Sequence, residues 1–336
     1  MGSQRQVVYC ETAFLAKFLE NYPTDMPFPK KKAFSNYSSW INTYKYLCRS
    51  HVTLDCSAAD FYDKAKDDEY LAELWKCSSD GEMDLDFEKN NFPVLNNESV
   101  SKFTDSILLS VFFTADNKEE IAKSLGIINI SLSNYQDLQY LFVDNGKAIA
   151  KAEEGNWKFL NNKARHNCNT MIIVDNYILH NKEINLYRIL DYLLPIHINT
   201  KFELMLITTL FGLDDTANTQ SKSDIESDIE QWIHEIRPDL EIKLNLILVD
   251  KKTEFHDRFI LTNNILICSV GGFDLFFKDK KGKIRSSKST RVEIIYPYFQ
   301  EFMQSAVDSY NDSLFDILDY LEDKKIKYGN RLLVNY

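Results

Sequence analysis

Cysteines are few in this sequence, and none stand close together. The six are scattered over the chain, at Cys10, Cys48, Cys56, Cys77, Cys168 and Cys268. No two of them have the close spacing that is typical of zinc ligands, and the pattern does not suggest a disulfide framework. We therefore expect reduced cysteines in a cytoplasmic protein that has neither a zinc site nor a set of structural disulfides.

Long hydrophobic runs are also missing. No apolar stretch approaches the roughly 18 residues that a membrane-spanning helix needs, and the stretch from Met1 to Arg5 lacks a signal-peptide pattern. The chain has no internal repeat, no low-complexity tract, no glycine-rich dinucleotide motif and no P-loop. These absences predict a protein without a membrane span, a cofactor or a metal ion.

Basic residues are outnumbered by acidic ones, 39 to 50, which gives a net charge of −11. Many of the acids lie between residues 51 and 100, and this disfavours that segment as a nucleic-acid surface. The length of 336 residues suggests two domains. We place an N-terminal mixed α/β domain of unknown role at residues 1–160 and a second α/β domain at residues 161–336.

The N-terminal part shows a strand–helix–strand pattern but no motif that carries chemistry. Ile107 to Phe113 is predicted as a strand, Lys118 to Leu125 as a helix and Gly126 to Ile130 as a second strand. Ala58 to Trp75 is predicted as one helix with acids among its apolar positions. A small α/β domain follows from these signals.

Strand-like and helix-like segments alternate from residue 171 onward. Three continuous apolar runs, residues 171–175, 202–210 and 240–250, are separated by helical patterns at residues 181–194 and 223–236. Such runs are typical of strands buried on both faces of a parallel sheet. Asp175 and Asp250 end two of these strands, at the edge where open parallel sheets bind ligands. The alternative is that both carboxylates only form turns.

The next segment combines a hairpin signal with a histidine and an arginine. Phe255 to Leu261 and Ile265 to Val270 read as two strands joined by a tight turn that contains Asn263 and Asn264. Side chains two apart on a strand share a face, so His256 and Arg258 should point the same way. A cation that suits phosphate beside a potential nucleophile is an arrangement typical of phosphoryl chemistry. The alternative is a structural histidine beside a surface arginine.

This segment resembles the phospholipase D-like superfamily over roughly residues 168–320. The family signature is His-x-Lys, four residues, Asp, and then Gly-Ser-x-Asn. His256 matches the histidine, Arg258 stands for the lysine, Asn263 stands for the aspartate, and Gly271-Gly272-Phe273-Asp274 stands near the glycine motif. The resemblance implies a C-terminal phospholipase D-like domain with a mostly parallel sheet flanked by helices.

The resemblance also implies roles for these residues. His256 would be the nucleophile or general acid, Arg258 would hold the phosphate, and Asn263 would assist, with Gly271 and Gly272 supporting the site. No metal is needed in this family. Because the chain holds a single His-x-Arg motif, an active site of the family type would take one His256 from each of two chains, which implies a homodimer.

A basic, hydroxyl-rich stretch follows at residues 285–291. Lys288, Ser289 and Thr290 are its candidate phosphate-binding residues, and the alternative is a solvated surface loop.

Two functions remain open at the level of sequence. The first is a metal-independent phosphodiesterase, more a nuclease than a lipase, from a bacterial defence or mobile-element system. The similarity to bacterial nuclease-like members and the Asn-, Lys-, Ile- and Tyr-rich composition favour this function. The second is a catalytically inactive module that binds a phosphate group or a partner protein, which the acidic charge and the altered motif favour. A third possibility is that the N-terminal domain is the effector and the C-terminal domain its sensor or dimeriser.

Overall fold

A computed structural model describes residues 7–21, 39–81, 83–98, 102–136, 157, 160, 167–209, 221–249, 258–269, 271–286, 292–295 and 303–334. The chain divides into two compact units. The first comprises Met1–Asp144 with Tyr298–Asp308, and the second comprises Asn145–Pro297 with Ser309–Tyr336. The boundary that we place at residues 160–161 therefore falls inside the range of the second unit.

The first unit is built on a five-stranded parallel sheet. Its strands are β1 Val7–Cys10, β2 His51–Leu54, β3 Asp84–Phe87, β4 Val111–Thr114 and β5 Ile128–Ser131. Their order across the sheet is β3-β2-β1-β4-β5, and every neighbouring pair is parallel. All residues of β4 and of the edge strand β5 are buried, as expected for a parallel sheet that is covered on both faces. The predicted α/β class is confirmed for this unit.

Helices connect these strands. They are α1 Thr12–Glu20, α2 Ser39–Arg49, α3 Ala58–Ala65, α4 Glu69–Ser79 and α5 Glu119–Leu125. The single helix predicted from Ala58 to Trp75 is wrong, because Asp68 interrupts it. The Asp68 carboxylate accepts hydrogen bonds from the backbone N–H groups of Tyr70 and Leu71, at 2.9 and 3.0 Å, and so caps a new helix.

The strand predicted from Ile107 to Phe113 also begins later than expected. Ile107–Leu109 forms a 3₁₀ turn, and the strand starts at Val111. Leu108, which lies in this turn, is buried in a cluster with Phe112, Ala122 and Leu125. An apolar run that serves a turn and then a strand has the same sequence pattern as one long strand.

The second unit contains a six-stranded mixed sheet. Its strands are β6 Thr170–Val174, β7 Phe202–Thr208, β8 Ile242–Leu248, β9 Phe259–Thr262, β10 Leu266–Ser269 and β13 Val292–Ile295. A separate ribbon pairs β11 Phe276–Lys278 with β12 Ile284–Ser286. The order in the large sheet is β13-β10-β9-β6-β7-β8.

The sheet of the second unit is less parallel than predicted. Strands β6, β7 and β8 are parallel neighbours, whereas β6–β9, β9–β10 and β10–β13 are antiparallel. The mostly parallel sheet is therefore wrong for this unit, because the hairpin inserts next to β6. Strand β8, at the edge, is also less buried than its apolar sequence suggests, with Lys243 exposed.

The predicted hairpin of β9 and β10 is confirmed, although it does not use the positive φ that asparagine tolerates. Neither Asn263 nor Asn264 has a positive φ. The Thr262 hydroxyl instead accepts hydrogen bonds from the backbone N–H groups of Asn264 and Ile265, at 3.2 and 3.1 Å. Both asparagine side chains are buried, and they bond to the backbone of residues 167 and 169.

Helices of the second unit flank this sheet. They are α6 Leu186–Leu193, α7 Lys222–Ile236, α8 Met303–Asp323, which belongs to this unit from Ser309 onward, and α9 Arg331–Val334. Helix α7 begins with a capping box of Ser221 and Asp224 and ends before Pro238, as predicted. In the part of the chain that the structure describes, no helix is long and apolar enough to span a bilayer.

Candidate functional site

The candidate site lies where β6 and β7 end and β9 begins. Val174, the last residue of β6, pairs with Ile207 on one side and with Phe259 on the other. Because β9 runs antiparallel to β6, the residue before β9 lies at the same edge as the residue after β6. The chain reversal thus brings Arg258 next to Asp175, at the edge where open α/β sheets bind ligands.

Asp175 is a completely buried carboxyl group. Its Oδ1 accepts a hydrogen bond from the Tyr177 backbone N–H, and its Oδ2 accepts one from the Phe273 backbone N–H, both at 2.6 Å. Burial raises the pKa of Asp175 to about 6, although the two N–H donors and the charge of Arg258 act in the opposite direction. Asp175 therefore joins the loop after β6 to the turn after β10.

The turn after β10 contains Gly272, and two features of the structure require glycine at this position. Its φ is +82°, a left-handed conformation that side chains with a Cβ rarely adopt. A Cβ at this position would lie 2.8 Å from Asp175 Oδ2 and 2.9 Å from Arg258 Cδ. Glycine is needed at this position because the turn packs directly against both charged residues. Gly271 precedes it in the same turn and is half-buried.

Arg258 is half-buried at this edge. Its Nε is buried and has no hydrogen-bond partner among the described residues. The guanidinium carbon lies 5.5 Å from the centroid of the Tyr177 ring, within the range of a cation–π contact. A buried donor without a partner is unfavourable, and a ligand with anionic oxygens would satisfy it.

A histidine–aspartate pair lies beside these residues. His180 Nδ1 is 3.0 Å from Asp274 Oδ2, and the His180 side chain is 46% exposed. Burial raises the pKa of Asp274, and the bonds from His180 and Asn181 act against this rise. The charge of Asp274 in turn contributes to the raised pKa of Asp175, so both carboxylates share one electrostatic environment.

Asn185 fixes the position of Asp274 through a hydrogen bond to its carboxylate. It is fully buried, and its Nδ2 donates to Asp274 Oδ1 at 3.0 Å and to the Phe276 carbonyl at 2.9 Å. Its Oδ1 accepts hydrogen bonds from the Phe276 backbone N–H at 3.2 Å and from Trp157 Nε1 at 3.4 Å. The side chain is therefore fixed on both sides, and the position of Asp274 is fixed with it.

The structure brings together only some of the residues selected from the sequence. Asp175, Arg258, Gly271 and Gly272 meet at one edge. Asn263 lies at the opposite end of β9, roughly 16 Å of extended chain from Arg258, where its Oδ1 accepts a hydrogen bond from the Asn169 backbone N–H at 3.2 Å. The catalytic role assigned to Asn263 does not fit this position, because β9 separates it from the site.

Five of the selected residues lie outside the part of the chain that the structure describes. They are His256, Asp250, Lys288, Ser289 and Thr290. Sequence reasoning also missed His180 and Asn185, and the expectation of a single motif overlooked that His180-Asn181-Lys182 has the His-x-Lys spacing of the family signature. The signal that could have found His180 is its place in the loop that follows β6, close to the ligand-binding edge.

Two further observations bear on the chemistry. Among the described residues no group of three or more His, Cys, Asp or Glu side chains is arranged to hold a metal ion. The edge instead offers one cation with an unsatisfied donor, one histidine oriented by a carboxylate and one buried carboxyl group.

No protein-family model matches the chain, and the comparison with curated proteins finds no match.

Proposed function

We propose that the second unit is a phosphodiesterase of the phospholipase D-like type that acts on nucleic acid. The observation that carries this proposal is the buried Nε of Arg258, which has no hydrogen-bond partner among the described residues and lies at the edge of the sheet where β6 ends. Guanidinium groups bind phosphate oxygens through two parallel hydrogen bonds, and Arg258 would hold the scissile phosphate in this way.

His256 would supply the nucleophile. It stands two residues before Arg258 in the His-x-Arg motif. An imidazole nitrogen attacks phosphorus, the bond from phosphorus to the leaving oxygen breaks, and a phosphohistidine forms that water then hydrolyses. The reaction of the family uses a second histidine. It comes from another copy of the chain if the expected homodimer forms the site, or from the second His-x-Lys motif, His180-Asn181-Lys182, of the same chain.

The test is cleavage of labelled single- and double-stranded DNA and RNA in the presence of EDTA. We expect the purified protein to cut at least one of these substrates, and His256→Ala to lower the rate by at least about 1,000-fold, as loss of a nucleophile does. Arg258→Ala should also lower the rate. His234→Ala, at an exposed position of α7, is the matched control and should cut normally.

Cleavage that survives His256→Ala would overturn the assignment of the nucleophile. A wild-type protein that cuts no substrate would leave the second function, a module that binds a phosphate group or a partner protein without turnover. The net charge of −11 favours that function, because a strongly acidic chain attracts nucleic acid poorly. Arg258→Ala should then weaken binding of a phosphate-bearing ligand, with no rate to lose.

A further inference from the structure

We propose that the ribbon of β11 and β12 is an arm by which the second unit binds the phosphate backbone of nucleic acid. We call residues 276–286 the basic arm, and all of them lie within the described part of the chain. This inference rests on the proposed function for the identity of the ligand. It adds a binding surface that lies apart from the reacting groups.

The basic arm concentrates positive charge in a chain that is acidic overall. It contains five basic residues and one acid, whereas the whole chain has a net charge of −11. The five basic residues are all exposed, and they are Lys278, Lys280, Lys281, Lys283 and Arg285. A local cluster of this kind is the electrostatic footprint of a surface that binds nucleic acid.

The four lysines of the arm differ from other lysines of the surface in their lack of ion pairs. None of the four has an ion-pair partner among the described residues. Exposed lysines elsewhere pair with carboxylates, such as Lys66 with Asp63 at 2.7 Å and Lys123 with Glu119 at 2.8 Å. The charges of the arm are therefore available for a ligand.

The one acid of the arm, Asp279, is engaged in the turn. Its Oδ1 accepts hydrogen bonds from the backbone N–H groups of Lys281 and Lys283, both at 2.9 Å, and its Oδ2 accepts one from Arg285 Nε at 3.1 Å. Asp279 thus shapes the tip of the arm and pairs with Arg285, and it leaves the four lysines without a counter-ion.

The tip of the arm is open to solvent. The backbone N–H of Gly282 donates to the Asp279 carbonyl at 2.8 Å, and a Cβ at Gly282 would meet no described atom within 4 Å. Lys280, at the tip, is roughly 13 Å of extended chain away from Phe276. The Debye length at physiological salt is about 8 Å, so a ligand at the tip interacts with the lysines of the arm more strongly than with distant acids.

The base of the arm is fixed at the candidate site. Phe276 is only 1% exposed, and its backbone N–H and carbonyl both bond to Asn185, which also bonds to Asp274. Phe276 stands four residues after Gly272, at most about 14 Å away, and Gly272 packs against Arg258. Nucleic acid that is bound by the arm would therefore be held near the guanidinium group of the site.

The arrangement of apolar side chains favours nucleic acid over a membrane as the ligand. Phe277 pairs with Arg285, and Ile284 pairs with Lys278 across the ribbon. Because side chains alternate between the two faces along a strand, the exposed Phe277 and Ile284 lie on opposite faces of the ribbon. A segment that lies on a bilayer needs one apolar face. A two-stranded ribbon instead fits the major groove of a duplex, and an exposed aromatic ring stacks on unpaired bases.

The test removes the charges of the arm and measures binding. The arm variant carries Lys278→Gln, Lys280→Gln, Lys281→Gln and Lys283→Gln. The control variant loses the same charge at four exposed lysines elsewhere in the second unit, through Lys201→Gln, Lys222→Gln, Lys324→Gln and Lys327→Gln. Binding is measured in full-length proteins that also carry His256→Ala, so that the labelled probes stay intact, and His256→Ala alone is the parent protein.

Fluorescence anisotropy with single- and double-stranded DNA and RNA gives Kd between 50 and 200 mM salt. We expect the arm variant to bind about 30- to 1,000-fold more weakly than the parent protein to each probe that the parent binds. For duplex DNA the slope of log K against log salt should fall in magnitude by about 3 to 4, because each phosphate contact contributes about 0.9. The control variant should bind like the parent. Thermal midpoints establish that each variant is folded.

Cleavage rates separate the arm from the reacting groups. In chains that retain His256, the four arm substitutions should lower kcat/KM for nucleic acid. They should leave the hydrolysis of bis(p-nitrophenyl) phosphate unchanged, because this small diester does not reach the arm. An equal loss on both substrates would overturn the proposal, since the lysines would then belong to the reacting site.

The outcomes distinguish this inference from the proposed function. Equal binding by the parent and the arm variant would overturn the role of the arm while the phosphodiesterase stands. Equal weakening in the arm and control variants would also overturn it, because long-range charge alone would then explain the effect. A parent protein that binds no probe would overturn it as well. A wild-type protein that cuts no substrate but binds through the arm would overturn the proposed function and leave the arm in place.

A membrane ligand is tested with the same variants. Vesicles that contain phosphatidylserine should bind the parent protein more weakly than nucleic acid does. Tighter binding to these vesicles than to any probe, lost in the arm variant and kept in the control, would assign the arm to a membrane surface and overturn the proposal.

Discussion

The carboxylate of Asp175 accepts a hydrogen bond of 2.6 Å from the backbone N–H of Phe273, a residue 98 positions later in the chain. This bond links the end of β6 to the turn that follows β10. Since Arg258 and Gly272 pack beside the same carboxylate, Asp175 is the central residue of the candidate site. Because Asp175 is buried only in the folded protein, its pKa differs between the folded and the unfolded chain.

Stability should respond to the titration of Asp175. The ordinary pKa of 3.8 rises to about 6 in the folded protein, so between these values the folded state binds more protons than the unfolded state. The group therefore stabilises the fold below pH 4, and this contribution is lost as pH rises through 6. From pH 5 to pH 7 the loss is about 1 kcal/mol.

Asp175→Asn removes this titration and leaves one backbone N–H of the site facing an amide donor. We expect the variant to be less stable than wild type by about 1 to 3 kcal/mol, with a larger difference at pH 5 than at pH 7. Urea unfolding at the two pH values measures this. Asp63→Asn, which changes an exposed carboxylate, serves as the control and should show no such trend. A difference that is larger at pH 7 would contradict the raised pKa.

Two glycines with similar backbone angles allow the packing at the site to be separated from backbone strain. Gly272→Ala and Gly282→Ala both place a Cβ at positive φ, +82° and +75°, but nothing lies within 4 Å of the second position. We expect Gly282→Ala to cost about 1 kcal/mol from strain alone. Gly272→Ala should cost roughly 2 to 4 kcal/mol, because Asp175 and Arg258 must also move. Chemical denaturation measures both, and equal losses would show that the close approach is unimportant.

The family signature and the structure make opposite predictions for Asn263. If the missing aspartate weakened the chemistry, Asn263→Asp would raise the rate of phosphodiester cleavage. The position of Asn263 at the far end of β9, bonded to the Asn169 backbone N–H, leads us to expect no change in rate and a loss of stability from a buried charge. Rates and thermal midpoints of the same preparation decide the matter. A rate increase would mean that Asn263 is coupled to the site.

The amino-terminal edge of the same sheet depends on a buried ion pair. Glu203 accepts a hydrogen bond from the Arg331 backbone N–H at 2.6 Å, and its carboxylate lies 3.5 Å from Arg331 Nε and 2.9 Å from Lys243 Nζ. The Arg331 side chain is only 4% exposed. Glu203→Gln would leave that cation buried without its anion, and we expect a loss of roughly 3 kcal/mol.

The matched comparison for Glu203→Gln is again Asp63→Asn, because Asp63 pairs with Lys66 at 2.7 Å in an exposed position. That variant should unfold at the same denaturant concentration as wild type. If the two substitutions lower the free energy of unfolding equally, burial does not determine how much an ion pair contributes to stability.

Much of the second unit follows from local sequence patterns. Three local signals were enough to predict these elements. They are the continuous apolar runs that became β6 and β7, the helical stripe of Ile225, Ile229 and Ile233 on α7, and the two strand-like segments of the hairpin. The direction of β9 relative to β6 cannot be predicted from such local signals, because it depends on contacts between distant segments. The mixed sheet was therefore missed although its strands were found.

The candidate site shows the same division. Gly272 and Arg258 stand in a recognisable motif, and Asp175 stands at a strand end, so sequence alone selects them. His180 begins the His-x-Lys stretch His180-Asn181-Lys182, whereas Asn185 has no motif around it, and only the fold brings both to Asp274. Asn263 was selected because it fits the spacing of a motif, and spacing along a strand does not tell which end of the strand faces the ligand.

The reversed strand β9 also affects how the molecule reaches its native state. Strand β6 is paired on one side with β7, and its other side pairs with β9, which is made much later in the chain. During synthesis β6 would carry an open hydrogen-bonding edge until β9 arrives, a condition that invites aggregation. Contacts between such distant segments also slow folding. The edge that carries the candidate site thus cannot be completed before β9 is made.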